Sequence, residues 1–424
     1  MDKLEKFLQK TLVPVGEQVA KNRYLQTLKN SFIMFTPFLI VGSIFLLISN
    51  FPIAGYEEFM TNIFGEGWDA VIGIPFDATY SFMAIFITYL VGYNYAKIEE
   101  VDAPTSGILA AIVFLILTPL GSTEELGTFL PLEWLGSNGI FVGFICAFTT
   151  VNVFKQFIRR DIVIKMPEQV PPEVARSFSA IIPAGVIITG SLVIREIFAK
   201  TSFETIHNFV FDVVAAPVGA LGTSYVGTLL YSLLTSGLWS IGINATSSVN
   251  SIMRPFWYVN GMENLDALQQ GISPLPNVIA EPFFDMIHMG GSGATLCLLV
   301  ALFIGAKSKQ SKTIRNLSIT PGVFNINEPL VFGLPVILNP ILLIPFNLVP
   351  LVLITTQFIA MSLNIVARPT GVIVPWTTPP IISGFLITGH ISGSLMQLFN
   401  LILGALIYLP FLKMIDRQYV KDEE

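Results

Sequence analysis

Long uncharged, apolar runs dominate this sequence and constrain its fold more than any other feature. Between Arg315 and Arg368 only Glu328 carries a formal charge at neutral pH, and the run from Val336 to Ile359 is apolar almost throughout. Such runs recur along the chain, and about 20 apolar residues are what a helix needs to cross a bilayer. We therefore predict an all-α polytopic membrane protein, with about ten transmembrane helices, two re-entrant hairpins and interfacial amphipathic helices.

The overall composition excludes a soluble domain and a disulfide-stabilised secreted protein. Hydrophobic residues make up 53% of the 424 residues and charged residues only 12%, whereas a soluble domain carries about 25% charged residues. Cys146 and Cys297 lie in apolar runs without a CxxC spacing, so we expect neither a disulfide framework nor a metal site. We also expect no cofactor, no nucleic-acid partner and no removable signal peptide.

The distribution of loop charges predicts how the chain is oriented in the membrane. The loop from Phe51 to Pro75 contains four acidic residues and no Lys or Arg, and the loop from Gly121 to Gly136 contains three acidic residues and none that is basic. The segment 155–178, by contrast, holds five Lys or Arg residues. The positive-inside rule therefore places the N-terminus and segment 155–178 in the cytoplasm of a bacterial cell, and the acidic loops outside.

The second half of the chain differs in composition from the first. This difference predicts a division into residues 1–200 and residues 201–424. Its uncharged segments contain many polar and small residues, as in Thr235–Ser248 and Met289–Leu296. Such segments are too polar for helices that face lipid. Interrupted helices with polar backbone at mid-membrane are a recurring way in which transporters build a binding site. We therefore expect the binding site in residues 201–424.

Glu328 is the strongest candidate for a functional side chain. An ionisable group within a membrane segment costs about 3 kcal/mol and is normally kept only when it faces a cavity, an ion or a polar substrate. Glycines and prolines between Pro321 and Pro335 predict a broken helix there, and the freed backbone groups must line a polar cavity or be buried in protein. The alternative is a carboxylate in a loop at the membrane surface. The broken helix favours a transport site.

The broken segments also carry amides and indoles, which together with a carboxylate suit a sugar. Sugar hydroxyls bind carboxylates and amides, and the apolar face of a sugar ring stacks on an indole. The candidates are Asn244, Asn325, Asn327, Trp239, Trp376 and His288. For an asparagine the alternative is an interhelical hydrogen bond, worth about 0.6–2 kcal/mol, and for a tryptophan it is a place in the interfacial belt. For His288, a role in the site and a place at a helix end both stay open.

The run from Gly322 to Pro335, which reads GVFNINEPLVFGLP, carries a resemblance to a known family. It resembles the signature of phosphotransferase-system enzyme IIC proteins of the lactose/cellobiose/N,N'-diacetylchitobiose family. Met289–Leu296 and Trp239–Ile243 are similar to the same family, and the resemblance extends over essentially the whole chain. It implies a homodimer in which the N-terminal half makes the dimer contact, while the C-terminal half holds the sugar with two re-entrant hairpins.

The resemblance also implies roles for individual residues. Glu328 would bind a sugar hydroxyl close to the position that is phosphorylated, and as the catalytic group would orient or deprotonate it. Trp239 and Trp376 would line the sugar pocket, with Asn138 as a further contact. Members of the family commonly have His-Gly where this chain has Asn244-Ala245. Asparagine keeps the hydrogen bonding of histidine but cannot act as a base.

We therefore expect the membrane subunit, enzyme IIC, of a phosphoenolpyruvate-dependent phosphotransferase system that takes up a β-linked disaccharide such as diacetylchitobiose, cellobiose or lactose. The phosphoryl donor would be a phosphocysteine on a separate enzyme IIB, supplied in turn by enzyme IIA, because both cysteines of this chain lie in membrane runs. Whether the chain counts as an enzyme then depends on whether the subunit or the complex is meant. Two alternatives stay open: an ion-coupled secondary sugar transporter with Glu328 as the coupling carboxylate, and a non-transporting membrane sensor or scaffold.

Overall fold

A computed structural model describes most of the chain, and most of the described residues are helical. The described residues are 22–49, 55–123, 127–167, 169–215, 219, 222–240, 246–334, 336 and 339–423. Within them one short antiparallel hairpin pairs β1 (Gly121–Thr123) with β2 (Gly127–Phe129). The predicted all-α membrane class is confirmed.

The helices of the first half alternate between long apolar segments and short connecting ones. They are α1 (Arg23–Ser49), α2 (Tyr56–Phe64), α3 (Trp68–Tyr80), α4 (Met83–Ile98), α5 (Ala103–Leu117), α6 (Ile140–Arg159), α7 (Pro172–Ser179), α8 (Ile181–Phe198) and α9 (Ile206–Val210). Helices α4, α5 and α6 pack against one another.

The helices of the second half are interrupted more often. They are α10 (Tyr225–Ser240), α11 (Thr246–Gln269), α12 (Thr295–Gly305), α13 (Lys309–Val323), α14 (Glu328–Gly333), α15 (Pro340–Ser362), α16 (Ile382–Thr388) and α17 (Ile391–Glu423). Both α12 and α15 pack against α17. Short 3-10 turns at Glu281–Phe283 and Ser292–Ala294 lie between α11 and α12.

Six stretches of the described residues are long and apolar enough to cross a membrane. They are Arg23–Leu46, Trp68–Ile98, Ser137–Arg159, Val174–Phe198, Ile341–Ser362 and Ile391–Glu423. Two shorter apolar stretches, Ala103–Leu117 and Ser292–Gly305, accompany them. The membrane-spanning helices are confirmed, whereas the count of about ten stays a prediction.

The described residues divide into two compact units. The N-unit comprises Asn22–Phe45 and Ala70–Ala220, and the C-unit comprises Leu46–Asp69 together with the described residues of Leu221–Glu424. The acidic loop after α1 therefore belongs to the C-unit, although it lies early in the sequence. The division of function between residues 1–200 and 201–424, with dimerisation assigned to the first, stays a prediction.

In the N-unit, the buried carboxylate of Glu99 lies between two cations. It accepts a hydrogen bond from Arg23 Nη1 at 2.6 Å and another from Lys155, and its side chain is 5% exposed. Burial alone raises the pKa of Glu99, but the hydrogen bond from Lys155 and the positive charge of Arg23 outweigh it, so the pKa lies below its ordinary value. The pair of ion contacts joins the segment after α4 to the start of α1 and to α6.

In the C-unit, carboxylates on α17 hold the start of α13. Asp416 accepts hydrogen bonds from the backbone N–H of Lys307 at 2.7 Å and from the Ser308 hydroxyl at 2.7 Å. Glu423 accepts from the backbone N–H groups of Lys309 and Gln310, both at 3.0 Å. The first N–H groups of a helix have no partner within the helix, so these contacts cap α13, which leads into the segment around Glu328.

Candidate functional site

The helix breaks between α13 and α14, and Glu328 is the first residue after the break. Helix α13 ends at Val323, and Asn325 follows in the left-handed region with φ 62°. Helix α14 then begins at Glu328 with Pro329 in its first turn, where a proline fits because that N–H would lack a helical partner in any case. The Glu328 side chain is exposed, so its carboxylate is open to a ligand.

Asn325 joins three separate segments of the C-unit through one side chain. Its Oδ1 accepts a hydrogen bond from the backbone N–H of Gly290 at 2.7 Å. Its Nδ2 donates to the main-chain oxygens of Trp376 at 2.6 Å and of Thr378 at 3.1 Å. Asparagine tolerates the left-handed backbone better than most residues do. The sequence therefore has at this position a residue that fits both the turn and the junction.

Asn327 makes a second link between the same segments. It is buried, and its Nδ2 donates to the main-chain oxygen of Ser292 at 3.1 Å. Gly291 lies against it with φ 94°. A Cβ at Gly291 would be 3.0 Å from Asn327 Cγ and 3.1 Å from the main-chain oxygen of Asn325. A side chain at this position would displace the two asparagines from the loop, which explains the need for glycine there.

The loop that receives Asn325 and Asn327 is itself tightly packed. A Cβ at Gly290, where φ is 78°, would lie 2.2 Å from the backbone nitrogen of Leu296. The main-chain oxygen of Gly293 accepts a 2.7 Å hydrogen bond from the Tyr408 hydroxyl of α17. The glycine-rich run after Met289 is therefore a packed turn that connects the Glu328 segment to the core of the C-unit.

The two predicted sugar-stacking tryptophans have different surroundings. Trp376 is 56% exposed, while its main-chain oxygen is held by Asn325. An indole that is exposed while its backbone is fixed is suited to stacking on a ligand. Trp239, in the last turns of α10, is 7% exposed and packs in the core of the C-unit. The hydrogen bond from Asn325 joins the segment that carries Asn327 and Glu328 to the backbone of Trp376.

His288 lies at the edge of an aromatic cluster, two residues before the glycine-rich loop. Its ring stacks on Phe284 with centroids 6.0 Å apart. Phe284 in turn contacts Trp257 at 4.4 Å and Tyr231 at 4.6 Å between centroids. His288 is half-buried, so it is partly open to a ligand and partly held by packing.

Two other predicted sugar contacts are not among the described residues of the C-unit. Asn138 belongs to the N-unit, where it is half-buried in the 3-10 turn Ser137–Gly139. Asn244 lies in 241–245, outside the described residues. The roles of both residues stay predictions.

A buried ion pair in the C-unit was missed by the sequence analysis. Arg254 Nε lies 2.7 Å from Glu281 Oε1, and the Glu281 side chain is 5% exposed. Two signals could have pointed to it. Glu281-Pro282 repeats the Glu-Pro pair of Glu328-Pro329, and each pair begins a helical turn. Arg254 is also the first charged residue after a long stretch without Asp, Glu, Lys or Arg.

Comparison with known proteins identifies what the whole chain is similar to. A family model described as "Phosphotransferase system, EIIC" matches residues 29–350. The chain is 40% identical, over its whole length and 97% of the relative, to the PTS system cellobiose-specific EIIC component of Geobacillus stearothermophilus. It is 39% identical, over its whole length and 96% of the relative, to the lichenan permease IIC component of Bacillus subtilis (strain 168).

A solved structure is similar over nearly the whole fold. It is the crystal structure of the transporter ChbC, the IIC component from the N,N'-diacetylchitobiose-specific phosphotransferase system. The TM-score is 0.94 and the sequence identity 42%, with 98% of this chain and 99% of that chain covered.

Proposed function

We propose that this chain, which belongs to the phosphotransferase-system EIIC family, takes up a β-linked disaccharide and presents the sugar 6-hydroxyl to a phosphoryl donor. As a member of the family it is an integral membrane sugar permease that works with enzymes IIB and IIA. Support for the sugar class comes from a relative named for cellobiose and a solved neighbour named for N,N'-diacetylchitobiose. Both sugars are β-linked disaccharides.

The observation that carries the proposal is the position of Glu328 in the group tied together by Asn325. An exposed carboxylate begins a helix next to an amide junction, and that junction also holds the backbone of an exposed indole. The carboxylate accepts a hydrogen bond from a sugar hydroxyl, and Trp376 offers a flat apolar face to the ring. We keep Trp239, Asn138, Asn244, Asn327 and His288 as proposed further contacts.

In the proposed transfer, the donor is a phosphocysteine on enzyme IIB. The oxygen of the sugar 6-hydroxyl forms a bond to phosphorus while the sulfur–phosphorus bond breaks, and the cysteine leaves as a thiolate. Glu328 orients the hydroxyl and accepts its proton. The hydroxyl oxygen would become positively charged as it bonds to phosphorus, and the carboxylate prevents this by taking the proton. A positioned general base contributes about 10²–10⁴ in rate.

We also propose the orientation and assembly of the chain. The N-terminus and segment 155–178 face the cytoplasm, where the positive-inside rule places basic loops, and the acidic loops lie outside. The chain forms a homodimer through its N-terminal half. Helix α8 supports an apolar contact with lipid or a second copy, because Ile181, Leu192 and Ile197 are exposed along it.

An ion-coupled carrier is the competing function, and family membership does not favour it. Uptake of labelled cellobiose into vesicles separates the two functions. We expect accumulation of sugar phosphate when the soluble phosphorelay proteins and phosphoenolpyruvate are supplied, with or without an ion gradient. Accumulation of free cellobiose that follows a proton or sodium gradient, without the phosphorelay proteins, would contradict the proposal.

A further inference from the structure

A cavity in the C-unit, separate from the Glu328 site, has the size and the lining of a carbohydrate site. Its volume is about 630 Å³, within the range of about 300–1,000 Å³ that is usual for ligand pockets. Its wall comes from the end of α1 and the acidic loop after it, from the end of α11, from the segment before α16 and from the end of α16. None of the described residues that line it belongs to the group around Glu328.

The lining of this cavity combines the groups that bind a sugar. Its described lining residues include three carboxylates, an amide, several hydroxyls and two aromatic rings, and no Lys or Arg is among them. The polar and aromatic members are Glu57, Glu66, Asp69, Gln269, Ser49, Thr61, Thr370, Thr388, Tyr56 and Trp68. Carboxylates and amides accept hydrogen bonds from hydroxyl groups. The half-buried ring of Tyr56 can cover the apolar face of a sugar, while the buried Trp68 packs behind it. An anionic ligand would meet no basic side chain among the described residues of this wall.

The two aromatic rings are held in place before any ligand arrives. The Tyr56 hydroxyl donates to the main-chain oxygen of Ile48 at 2.7 Å, and Trp68 Nε1 donates to Thr61 Oγ1 at 3.2 Å. The rings meet edge to face with centroids 5.9 Å apart. A wall that is already fixed lowers the conformational entropy that the protein loses when a ligand binds.

One segment links this cavity to the Glu328 site. The backbone of Thr370 is fixed by a 2.8 Å hydrogen bond to the main-chain oxygen of Ile387, and Asn264 holds Pro369 at 2.7 Å. Val372 lines the cavity. A few residues later, the main chain of Trp376 is bound by Asn325. Residues 370–376 therefore run from the wall of the cavity to the exposed indole of the Glu328 site.

We propose that this cavity is an outer vestibule that binds the β-linked disaccharide before it reaches Glu328. The inference rests on the proposed function and on the proposed orientation, which places the acidic loop after α1 outside the cell. The vestibule concentrates sugar at the outer face through its carboxylates, hydroxyls and aromatic wall. It is a separate binding site on the same route.

Cysteine protection tests the vestibule with two neighbouring residues of α2. Glu57 lines the cavity, whereas Glu58 is exposed and does not line it. The variants Glu57→Cys and Glu58→Cys are each treated on intact cells with a membrane-impermeant maleimide, with and without millimolar cellobiose or diacetylchitobiose. The natural thiols Cys146 and Cys297 are buried, so the background is low. Sugar uptake by each variant is measured first, to establish that it folds.

Protection by the sugar is expected at position 57 alone. We expect cellobiose or diacetylchitobiose to slow modification of Glu57→Cys by about threefold or more, as occupancy of a site requires, and to leave Glu58→Cys unchanged. The slowing persists when Glu328→Gln is added, because sugar binding in the vestibule does not require the Glu328 site. If Glu57→Cys is not modified at all without sugar, the cavity is not open to the outside and the proposal is overturned.

Three further results would overturn the vestibule. Equal rates with and without sugar at Glu57→Cys show that no sugar binds there. Protection that disappears with Glu328→Gln shows that the acidic loop after α1 responds to sugar bound at the Glu328 site. Protection by sodium or calcium chloride in place of sugar shows a cation site. Uptake by the wild type with no protection leaves the proposed function standing, whereas a wild type that neither takes up nor binds either sugar contradicts that function as well.

Discussion

Asn325 donates a 2.6 Å hydrogen bond from Nδ2 to the main-chain oxygen of Trp376, a residue 51 positions further along the chain. The same side chain accepts from the backbone of Gly290 through Oδ1. The residue that follows the end of α13 thus also fixes the backbone of Trp376 and the glycine-rich loop. Geometry at Glu328 and at Trp376 is therefore coupled through one amide.

Replacing Asn325 by Asp should weaken sugar binding while the protein still folds. Asp keeps the acceptor for Gly290 and tolerates the positive φ, but it loses both donated hydrogen bonds and turns a carboxylate towards two carbonyl oxygens. Leaving such groups unpaired costs about 1–3 kcal/mol, so we expect the Kd for cellobiose to rise about tenfold or more. Isothermal titration of the purified protein measures it.

Asn339→Asp is the matched control for that variant. Asn339 caps α15 through Oδ1, which accepts from the backbone N–H of Ile341 at 3.0 Å and of Leu342 at 3.3 Å. Asp provides the same acceptor. Its sugar affinity should equal that of the wild type. Equal affinity in Asn325→Asp as well would show that the donated hydrogen bonds do not position the site.

Gly291→Ala should disturb the site more than an equally strained glycine elsewhere. The new Cβ would lie 3.0 Å from the Asn327 side chain and 3.1 Å from the main-chain oxygen of Asn325. At Gly65, where φ is 87° and ψ is 175°, close to the 94° and −165° of Gly291, a Cβ meets nothing within 4 Å. Both substitutions strain the backbone, so Gly65→Ala reports that strain alone. We expect sugar uptake to fall severalfold further in Gly291→Ala, and similar uptake in the two variants would contradict the contact argument.

The Arg254–Glu281 pair predicts a non-additive result in a double-mutant cycle. Arg254→Gln leaves a carboxylate buried without its cation, and breaking a buried pair costs about 3–5 kcal/mol. The double variant Arg254→Gln/Glu281→Gln removes both charges and should regain much of the melting temperature in detergent. Additive losses across the cycle would mean that the two side chains act independently.

Glu99 predicts a pH dependence of stability in the N-unit. Its folded pKa lies below the ordinary value of 4.5. Its stabilising effect is therefore complete above that ordinary value and is lost as the pH falls through the lower folded pKa. We expect Glu99→Gln to melt below the wild type at neutral pH, and the difference to shrink in acid. Glu100→Gln, at the exposed neighbouring position, should match the wild type throughout; a constant deficit for Glu99→Gln at all pH values would refute the assignment.

Features that depend on local sequence could be predicted. The apolar run from Val336 to Ile359 predicts a membrane helix, and α15 covers Pro340–Ser362, because hydropathy acts on each segment separately. The break before Glu328 could be predicted in the same way, since glycine, proline and asparagine limit the backbone locally.

Features that depend on distant partners could not be predicted. Glu99 is a charged residue that is buried, and only the fold shows that Arg23, 76 positions earlier, offsets its charge. Arg254 and Glu281 are visible in the sequence, but only the fold shows that they meet. The placement of the loop Leu46–Asp69 in the C-unit likewise follows from packing, which no local pattern encodes.

The central claim is that Glu328 acts on the accepting sugar hydroxyl, and single-turnover phosphoryl transfer tests it most directly. Purified chain, phosphorylated enzyme IIB and cellobiose are mixed, and sugar phosphate is measured for the wild type, Glu328→Gln and the exposed control Glu58→Gln. We predict a rate about 100-fold or more below wild type for Glu328→Gln and no change for Glu58→Gln. Transfer at the wild-type rate in Glu328→Gln would contradict the account.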